Sequence, residues 1–147
     1  MSESISVKEV PVETIVQIHA MIPKFEKAYP TEHFEQRYAN KKRLLLAAFI
    51  NDVPAGYYVG YDRYEDDSWY CWMTGVTPTC RRKGVLKALM QYQDVWVKKH
   101  GYTSIKIKTR NNRREMLAYL IAQDFDCIEL ETKADARDNR LFFERRV

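Results

Sequence analysis

The fold of this chain is decided by the stretch Val76–Met90, which reads VTPTCRRKGVLKALM. A strand-like run, Trp69–Val76, leads into it, and apolar residues recur at helical spacing after it: Val85, Leu89, Tyr92 and Trp96. The first N–H groups of a helix lack intrahelical partners and the helix dipole favours negative charge, so a basic loop feeding a helix start is a natural anion site. Gly84 lets the backbone approach a ligand closely. The stretch therefore predicts a site for a pyrophosphate group.

The same residues resemble the acyl-CoA-binding signature of the GNAT N-acetyltransferase superfamily, which reads R/Q-x-x-G-x-G/A. Arg81 matches its first position and Gly84 its first glycine, whereas Leu86 stands where the family usually has a second Gly or Ala. A leucine still offers its backbone N–H, and we expect its side chain to point into the core behind the loop. The resemblance implies that the loop binds the pyrophosphate of coenzyme A, with these candidates: Arg81, Arg82, Lys83, Gly84, Val85, Leu86 and Lys87. A solvated basic turn before an ordinary helix is the alternative.

A second region extends the resemblance. Ile107–Asn112, then Met116–Tyr119, then Asp124-Phe125 is similar to the family's strand, Asn-started helix and terminal Gly-Phe, with an aspartate in place of the usual glycine. The spacing to Phe125 does not decide whether Asn111 or Asn112 is the family's asparagine. Both remain candidates for binding coenzyme A.

Apolar periodicity and turn residues predict a mixed α/β order, β-α-α-β-β-β-α-β-α-β-β. The resemblance implies the same order, as a central, mostly antiparallel sheet with a splayed parallel strand pair, and a single GNAT domain over residues 1–147. The predicted strands are 5–10, 44–50, 53–61, 69–76, 104–109, 126–132 and 140–146; the predicted helices begin after Pro11, run from Thr31 as N-cap towards Asn40, run from Val85 to Gly101, and cover 113–122.

Composition fits one soluble domain. The 147 residues are 46% hydrophobic and 30% charged, which is typical of a globular chain and not of a disordered one. No apolar run approaches membrane-spanning length, and the N-terminus lacks a signal-peptide profile. Three dispersed cysteines, Cys71, Cys80 and Cys127, predict free thiols and no metal site. We therefore expect a cytoplasmic protein with no membrane or metal partner.

Positive charge is concentrated in the middle of the chain. Between Arg81 and Arg110 nine Lys/Arg stand against one acid, Asp94, a net charge of +8; since the whole chain carries +4, the rest carries −4. This balance fits a polyphosphorylated ligand such as coenzyme A. It would also fit nucleic acid, but the basic residues alternate with apolar ones and lack an aromatic-interleaved recognition pattern, so no nucleic-acid partner is expected.

The chemistry implied by the resemblance is direct attack of an amine on acetyl-CoA, with the thioester arm in the gap between the strands that end at Val76 and near Arg110. A bulge near Gly75 and Val76 would free backbone amides for the pantetheine and the thioester carbonyl, because an isolated strand glycine often marks a bulge. One amide aimed at the developing oxyanion contributes about 3 kcal/mol. Relief of crowding beside a tryptophan is the alternative role of Gly75.

Proton transfer needs further residues. An alkyl ammonium is only about one part in 2,500 neutral at pH 7, so a carboxylate or a water chain must accept its proton. The strand residues 69–74 offer no carboxylate. Acids precede that strand or lie in the region that lines the acceptor side in the family, and no base is assigned among Glu32, His33, Glu65, Asp66 and Asp67.

Tyr119 stands near the position of the family's frequent catalytic tyrosine. A phenol pKa near 10 exceeds a thiol pKa near 8.5, so the residue would stabilise the leaving thiolate by a hydrogen bond or through a depressed pKa. Packing on its helix is the alternative. His19 is expected to pack or to line a groove, and His33 and His100 are expected to be exposed. About half of the aromatic residues between Tyr57 and Trp72 should wall an acceptor pocket and favour an amine cation through ring-face contacts.

Three functions follow in order. The first is an acetyl-CoA-dependent N-acetyltransferase that acts on a primary amine of a small molecule or a protein. The second is a catalytically inactive, CoA-binding sensor or regulatory module of the same fold, and the third a basic nucleic-acid-binding protein. The sequence does not identify the acceptor amine, and a homodimer is a candidate by analogy alone.

Overall fold

Strands and helices alternate in the predicted order. The computed structural model describes residues 4–23 and 28–147. Over these residues the elements are β1 (Ile5–Glu9), α1 (Val12–Ala20), α2 (Thr31–Arg37), β2 (Arg43–Ile50), β3 (Val53–Tyr61), β4 (Ser68–Val76), α3 (Val85–Lys99), β5 (Ser104–Arg110), α4 (Arg114–Ala122), β6 (Asp126–Glu131) and β7 (Arg140–Arg146), with 3-10 turns at Pro78–Cys80 and Ala136–Asp138. Helix α2 is shorter than predicted, and Thr31 is its first residue because Pro30 takes the N-cap position.

One mixed sheet carries the strands in the order β1-β2-β3-β4-β5-β7-β6. All neighbours are antiparallel except β4 and β5, which are parallel. Their pairing covers only Ser68–Cys71 against Ser104–Ile107. Beyond these residues the two strands run on without pairing to each other, so the carboxyl ends diverge. The predicted splayed parallel pair is confirmed.

A bulge in β4 lies at Trp72 and not near Gly75 and Val76. The register with β3 passes from Val59 opposite Met73 to Gly60 opposite Cys71, which leaves Trp72 as the extra residue. Gly75 and Val76 pair regularly with β3, so the predicted position of the bulge was wrong. Since a bulge bends and twists its strand, its place directly after the last residue paired with β5 fits the divergence of the two strands.

Two apolar cores cover the two faces of the sheet because strand side chains alternate between faces. Beneath α3 and α4 lie buried residues that include Tyr58, Trp69, Leu89, Ile105 and Leu120. Beneath α1 and α2 lie others that include Ile15, Phe34, Tyr57, Tyr61 and Tyr70. The cores fix the two helical layers, and between them the diverging ends of β4 and β5 leave a cleft.

Candidate active site

The cleft has a volume of about 940 Å³ and lies between the diverging strands. Residues 70–76 of β4 form one wall and residues 107–110 of β5 the other. The start of α4 and the α2 region close its ends, so residues from distant parts of the chain face one space. Such a concave space at diverging strand ends is a common place for a ligand site.

The loop between β4 and α3 forms one rim of the cleft. Thr77 anchors it, because its N–H donates to the Ala55 carbonyl at 2.9 Å. Arg82 and Gly84 adopt left-handed conformations, with φ of 62° and 86°. No side chain of the described residues caps α3, and its first main-chain bond runs from the Ala88 N–H to the Gly84 carbonyl at 3.0 Å. The N–H groups of the first turn are therefore available to an anion.

Close packing sets the position of this helix start. A Cβ on Gly56 would lie 2.8 Å from Val85 Cγ1 and 2.7 Å from the Gly75 carbonyl oxygen. The absence of a side chain at Gly56 thus lets the first turn of α3 sit directly on β3, with Val85 buried beneath it. Sequence reasoning missed Gly56, since the contact joins residues far apart in the chain.

The predicted cofactor residues divide by place. Gly75, Val76, Arg81 and Leu86 line the cleft. The exposed loop and first turn hold Arg82, Lys83, Gly84 and Lys87, while Val85 is in the core. The expectation that Leu86 hides behind the loop is only partly right, because it packs against the core and also lines the cleft.

The two candidate asparagines have different surroundings. Asn111 is held by the 136–139 turn: its N–H donates to the Asn139 carbonyl at 2.8 Å and its side-chain amide to the Ala136 carbonyl at 3.1 Å. Arg114 Nη1 also donates to its side-chain oxygen at 2.9 Å. Asn112 instead lines the cleft and is exposed. The geometry favours Asn112 as the ligand-facing residue.

Tyr119 packs against the core on α4 and is not among the residues that line the cleft. It is half-buried. Burial, followed by the charge of Asp94, raises its pKa to about 12. A depressed pKa is therefore not found, and a hydrogen-bonding role is the one left open. Electrostatic influence from Cys71, which does line the cleft, places Tyr119 near the cleft wall.

The opposite rim carries a stacked pair of rings. His33 stacks on Tyr29 with centroids 3.9 Å apart, and both line the cleft. Trp72, at the β4 bulge, lies 5.7 Å from the His33 ring. His33 is partly buried, so the expectation that it is exposed was wrong; His100 is exposed as expected. Burial, and then the charges of Arg37 and His19, lower the pKa of His33, so its imidazole is neutral at pH 7.

His19 is buried, and its Nδ1 lies 2.8 Å from the Tyr57 hydroxyl. This is the packed position that the sequence predicted. Its ring also stacks on Tyr29, at 5.0 Å between centroids. His19 therefore supports the ring that supports His33.

The aromatic faces near the cleft are covered by the protein's own cations. The Arg37 guanidinium lies 5.2 Å above the Trp72 ring, and that of Arg63 lies 4.9 Å above the Tyr70 ring. The prediction that these rings would receive an amine cation is therefore not supported. A further positive charge there would meet like charges.

Basic residues that the sequence did not single out line the same part of the cleft. Arg37 comes from α2, Lys108 and Arg110 from β5, and Arg140 from β7. The carboxylates of the acidic turn lie elsewhere: Glu65 pairs with Lys41 at 2.5 Å and Asp66 with Lys106 at 3.1 Å. Only knowledge of the β5–β7 pairing could have joined these basic residues, and the sequence does not state it.

Two searches for other kinds of site gave nothing within the described residues. No group of three or more His, Cys, Asp or Glu side chains there is arranged to hold a metal ion. None of the helices described is both long and apolar enough to cross a membrane.

Comparisons with known proteins agree with this geometry. Solved structures of similar fold include the ribosomal-protein-S18-alanine N-acetyltransferase of Escherichia coli (TM-score 0.81, 13% identity, covering 98% of this chain and 94% of that one). Others are Ard1 of Thermoplasma volcanium (0.78, 16%, 97% and 97%) and the PaiA N-acetyltransferase of Thermoplasma acidophilum in complex with coenzyme A (0.71, 15%, 98% and 99%). No curated protein sequence matches. The profile of the acetyltransferase (GNAT) family matches residues 15–125, and the chain therefore belongs to that family.

Proposed function

We propose that this protein transfers the acetyl group of acetyl-CoA to the primary amine of an acceptor that binds in the same cleft. The observation that carries the proposal is one cleft with an uncapped helix start at one rim and a neutral histidine at the other. The first suits a pyrophosphate and the second suits proton transfer. Membership of the GNAT family supports the reaction class.

The loop and the first turn of α3 bind the diphosphate of coenzyme A. The N–H groups of Val85, Leu86 and Lys87 have no intrahelical partners, and Arg81 adds a positive charge on the cleft side. Asn112 lies on the cleft wall as a further polar contact. Acetyl-CoA supplies the thioester that is attacked.

The edge of β4 from Trp72 to Val76 holds the pantetheine arm. Beyond Cys71 this edge has no register partner in β5, so its N–H and C=O groups face the cleft. Backbone N–H donors aimed at a developing oxyanion contribute about 3 kcal/mol each. The bulge at Trp72 sets the direction of these groups at the point where the strands separate.

His33 accepts the proton of the acceptor amine. Its ring is held by the stack on Tyr29 and faces the cleft, and its lowered pKa keeps it neutral at pH 7. Only a neutral imidazole can take a proton. Tyr119 acts on the leaving thiolate through a hydrogen bond, because its raised pKa keeps the phenol protonated.

Binding and turnover should be measured separately. With a Kd of about 10 µM, 1 mM acetyl-CoA would add about 2.7 kcal/mol of stability, a rise of several degrees in Tm. Desulfo-CoA should give the same rise and ATP should not. Thiol release with a panel of amines, corrected for the exposed Cys127 by a blank without amine, then measures transfer.

Each outcome decides between functions. A thermal shift together with amine-dependent thiol release supports the acetyltransferase. A shift with no release for any amine would leave a CoA-binding sensor. The absence of a shift at 1 mM would remove the coenzyme A site.

A further inference from the structure

The acceptor side of the cleft concentrates positive charge. Arg37, Lys108, Arg110 and Arg140, here called the acceptor cations, line the cleft from three elements. In the described residues none of them forms an ion pair with a carboxylate. Glu115 also lines the cleft, at the α4 end. Uncompensated charges of one sign in a concave space raise the local concentration of ligands of the opposite sign.

Sheet pairing makes the arrangement costly without a ligand. Arg110 lies directly opposite Arg140 in the antiparallel β5–β7 register, and like charges directly opposite destabilise a sheet. Lys108 stands two residues before Arg110 on the same face. The pKa of Lys108 is lowered by burial and then by the charges of Arg140 and Arg63. Three cations on one face therefore repel one another in the free protein.

A further cation lies behind this group. Arg63 stacks over Tyr70, and its Nη1 is buried with no hydrogen-bond partner in the part of the chain that the structure describes. Its charge acts on Lys108. Glu131 is the acid whose charge reaches Lys108 and Arg140, but it lies 2.5 Å from Lys133 in an ion pair. The positive potential is thus only partly compensated by the protein.

The acceptor cations do not face the cofactor loop's side of the sheet. Ile105 and Ile107 point into the core beneath α3, so Lys106 and Lys108, which alternate with them, point to the other face. Tyr70, opposite Lys106 in the parallel register, packs in the core beneath α1 and α2. Arg81 at the loop is therefore separate in place from the acceptor cations.

We propose that the acceptor is a small amine that also carries a carboxylate or phosphate group, and that the acceptor cations bind this anionic group. The proposal rests on the acetyltransfer proposed above and names the substrate class of the same site. A small acceptor fits because the cations line the cleft itself. Binding of the anion relieves the repulsion between Arg110 and Arg140 and places the amine beside His33. Arg37 above Trp72 joins the anion site to that rim.

Two variants and a matched control test the proposal. Lys108→Gln and Arg140→Gln each remove one acceptor cation. Lys106→Gln is the control, since Lys106 lies on the same strand and face but pairs with Asp66 and lies outside the cleft lining. The acceptors are pairs that differ in one charge: amino acids against their carboxamides, and phosphoethanolamine against ethanolamine. The two pairs distinguish carboxylate from phosphate.

The wild-type protein should use the anionic member of a pair with a kcat/KM at least tenfold higher. Lys108→Gln and Arg140→Gln should each raise the KM for that member about tenfold, leave the neutral member within twofold, and leave the Kd of acetyl-CoA unchanged. Lys106→Gln should change none of these values. Equal use of both members, preference for polyamines, or use of acidic peptides alone would overturn the proposal.

A binding measurement separates failure of this proposal from failure of the acetyltransferase function. N-acetyl amino acids and their amides are titrated into the protein–CoA complex, followed by thermal shift. Selective binding of the acids, lost in Lys108→Gln, supports the anion site even where no amine is turned over. Binding of neither, with coenzyme A bound normally, overturns it.

Discussion

The two rims of the cleft differ in how the chain builds them. The cofactor rim comes from consecutive residues, 77–87, whose proline, basic cluster and glycine follow one another directly in the sequence. The acceptor rim is assembled from α2, the β4 bulge, β5 and β7, with members as distant as His33 and Arg140. The first rim depends on local backbone conformation and the second on long-range packing. Substitutions should therefore affect the two rims independently, and each prediction below tests this separation.

The largest effect is expected at the cofactor rim. Gly84→Val forces a β-branched residue into a φ of 86°, which only glycine adopts easily. A Cβ there would meet only Ile5 Cδ1 at 3.9 Å, so conformation and not a clash is the cause. Loss of two N–H bonds to a phosphate, at roughly 1.5–3 kcal/mol each, weakens acetyl-CoA binding by at least about 100-fold. Isothermal titration calorimetry measures the Kd.

Gly101→Val is the matched control for this change. Gly101 has a φ of 85° and a Cβ there would contact nothing within 4 Å, but it follows α3 at the opposite end from the loop. Both variants should lose similar stability in urea unfolding, about 1–3 kcal/mol. Only Gly84→Val should lose acetyl-CoA binding. Equal loss of binding in both would mean that general destabilisation explains the effect.

His33 tests the acceptor rim. His33→Gln should lower kcat about 100-fold, the usual size of a general-base contribution, with the Kd of acetyl-CoA unchanged. The pKa of His33 is lowered, so the imidazole stays neutral at pH 7, and wild-type kcat/KM should fall only as the pH drops below 6.5. This acid limb should vanish in the variant. Rates from pH 5 to 9 measure it.

His100→Gln provides the comparison for that experiment. His100 is exposed and stacks on Trp96 at 3.9 Å, far from the cleft lining. Its loss should leave the acid limb in place. If the limb persists in His33→Gln, a different group accepts the proton.

Tyr119 lies beside both rims without lining either. Tyr119→Phe removes the phenol that would stabilise the leaving thiolate, and kcat should fall tenfold or more with little change in the KM for acetyl-CoA. Single-turnover kinetics isolate the step. An unchanged kcat would show that the tyrosine only packs on α4.

The difference between the rims also explains what the sequence could predict. The order of elements, the splayed strands and the cofactor loop follow from apolar period, turn residues and one local motif. The bulge was misplaced because its position depends on where β4 leaves β5, and Trp72 bears no local mark of that. His33 was misjudged, since only the stack on Tyr29 and the packing against Trp72 bury it. The pairing of Arg110 with Arg140 belongs to a register that no single strand contains.

The smallest effect concerns a signature position that belongs to neither rim. Asp124 has a φ of 65° at the turn after α4, where the family usually has glycine. The backbone conformation is thus kept although the residue differs, at a strain that aspartate tolerates better than most residues. Asp124→Gly should raise stability by about 0.5 kcal/mol, the relief of strain being partly offset by the greater freedom of glycine in the unfolded chain. Urea unfolding measures this gain, and the Kd of acetyl-CoA and the acceptor KM should both stay constant. A change in either constant would mean that the turn takes part in the site, and that the two rims are coupled through α4.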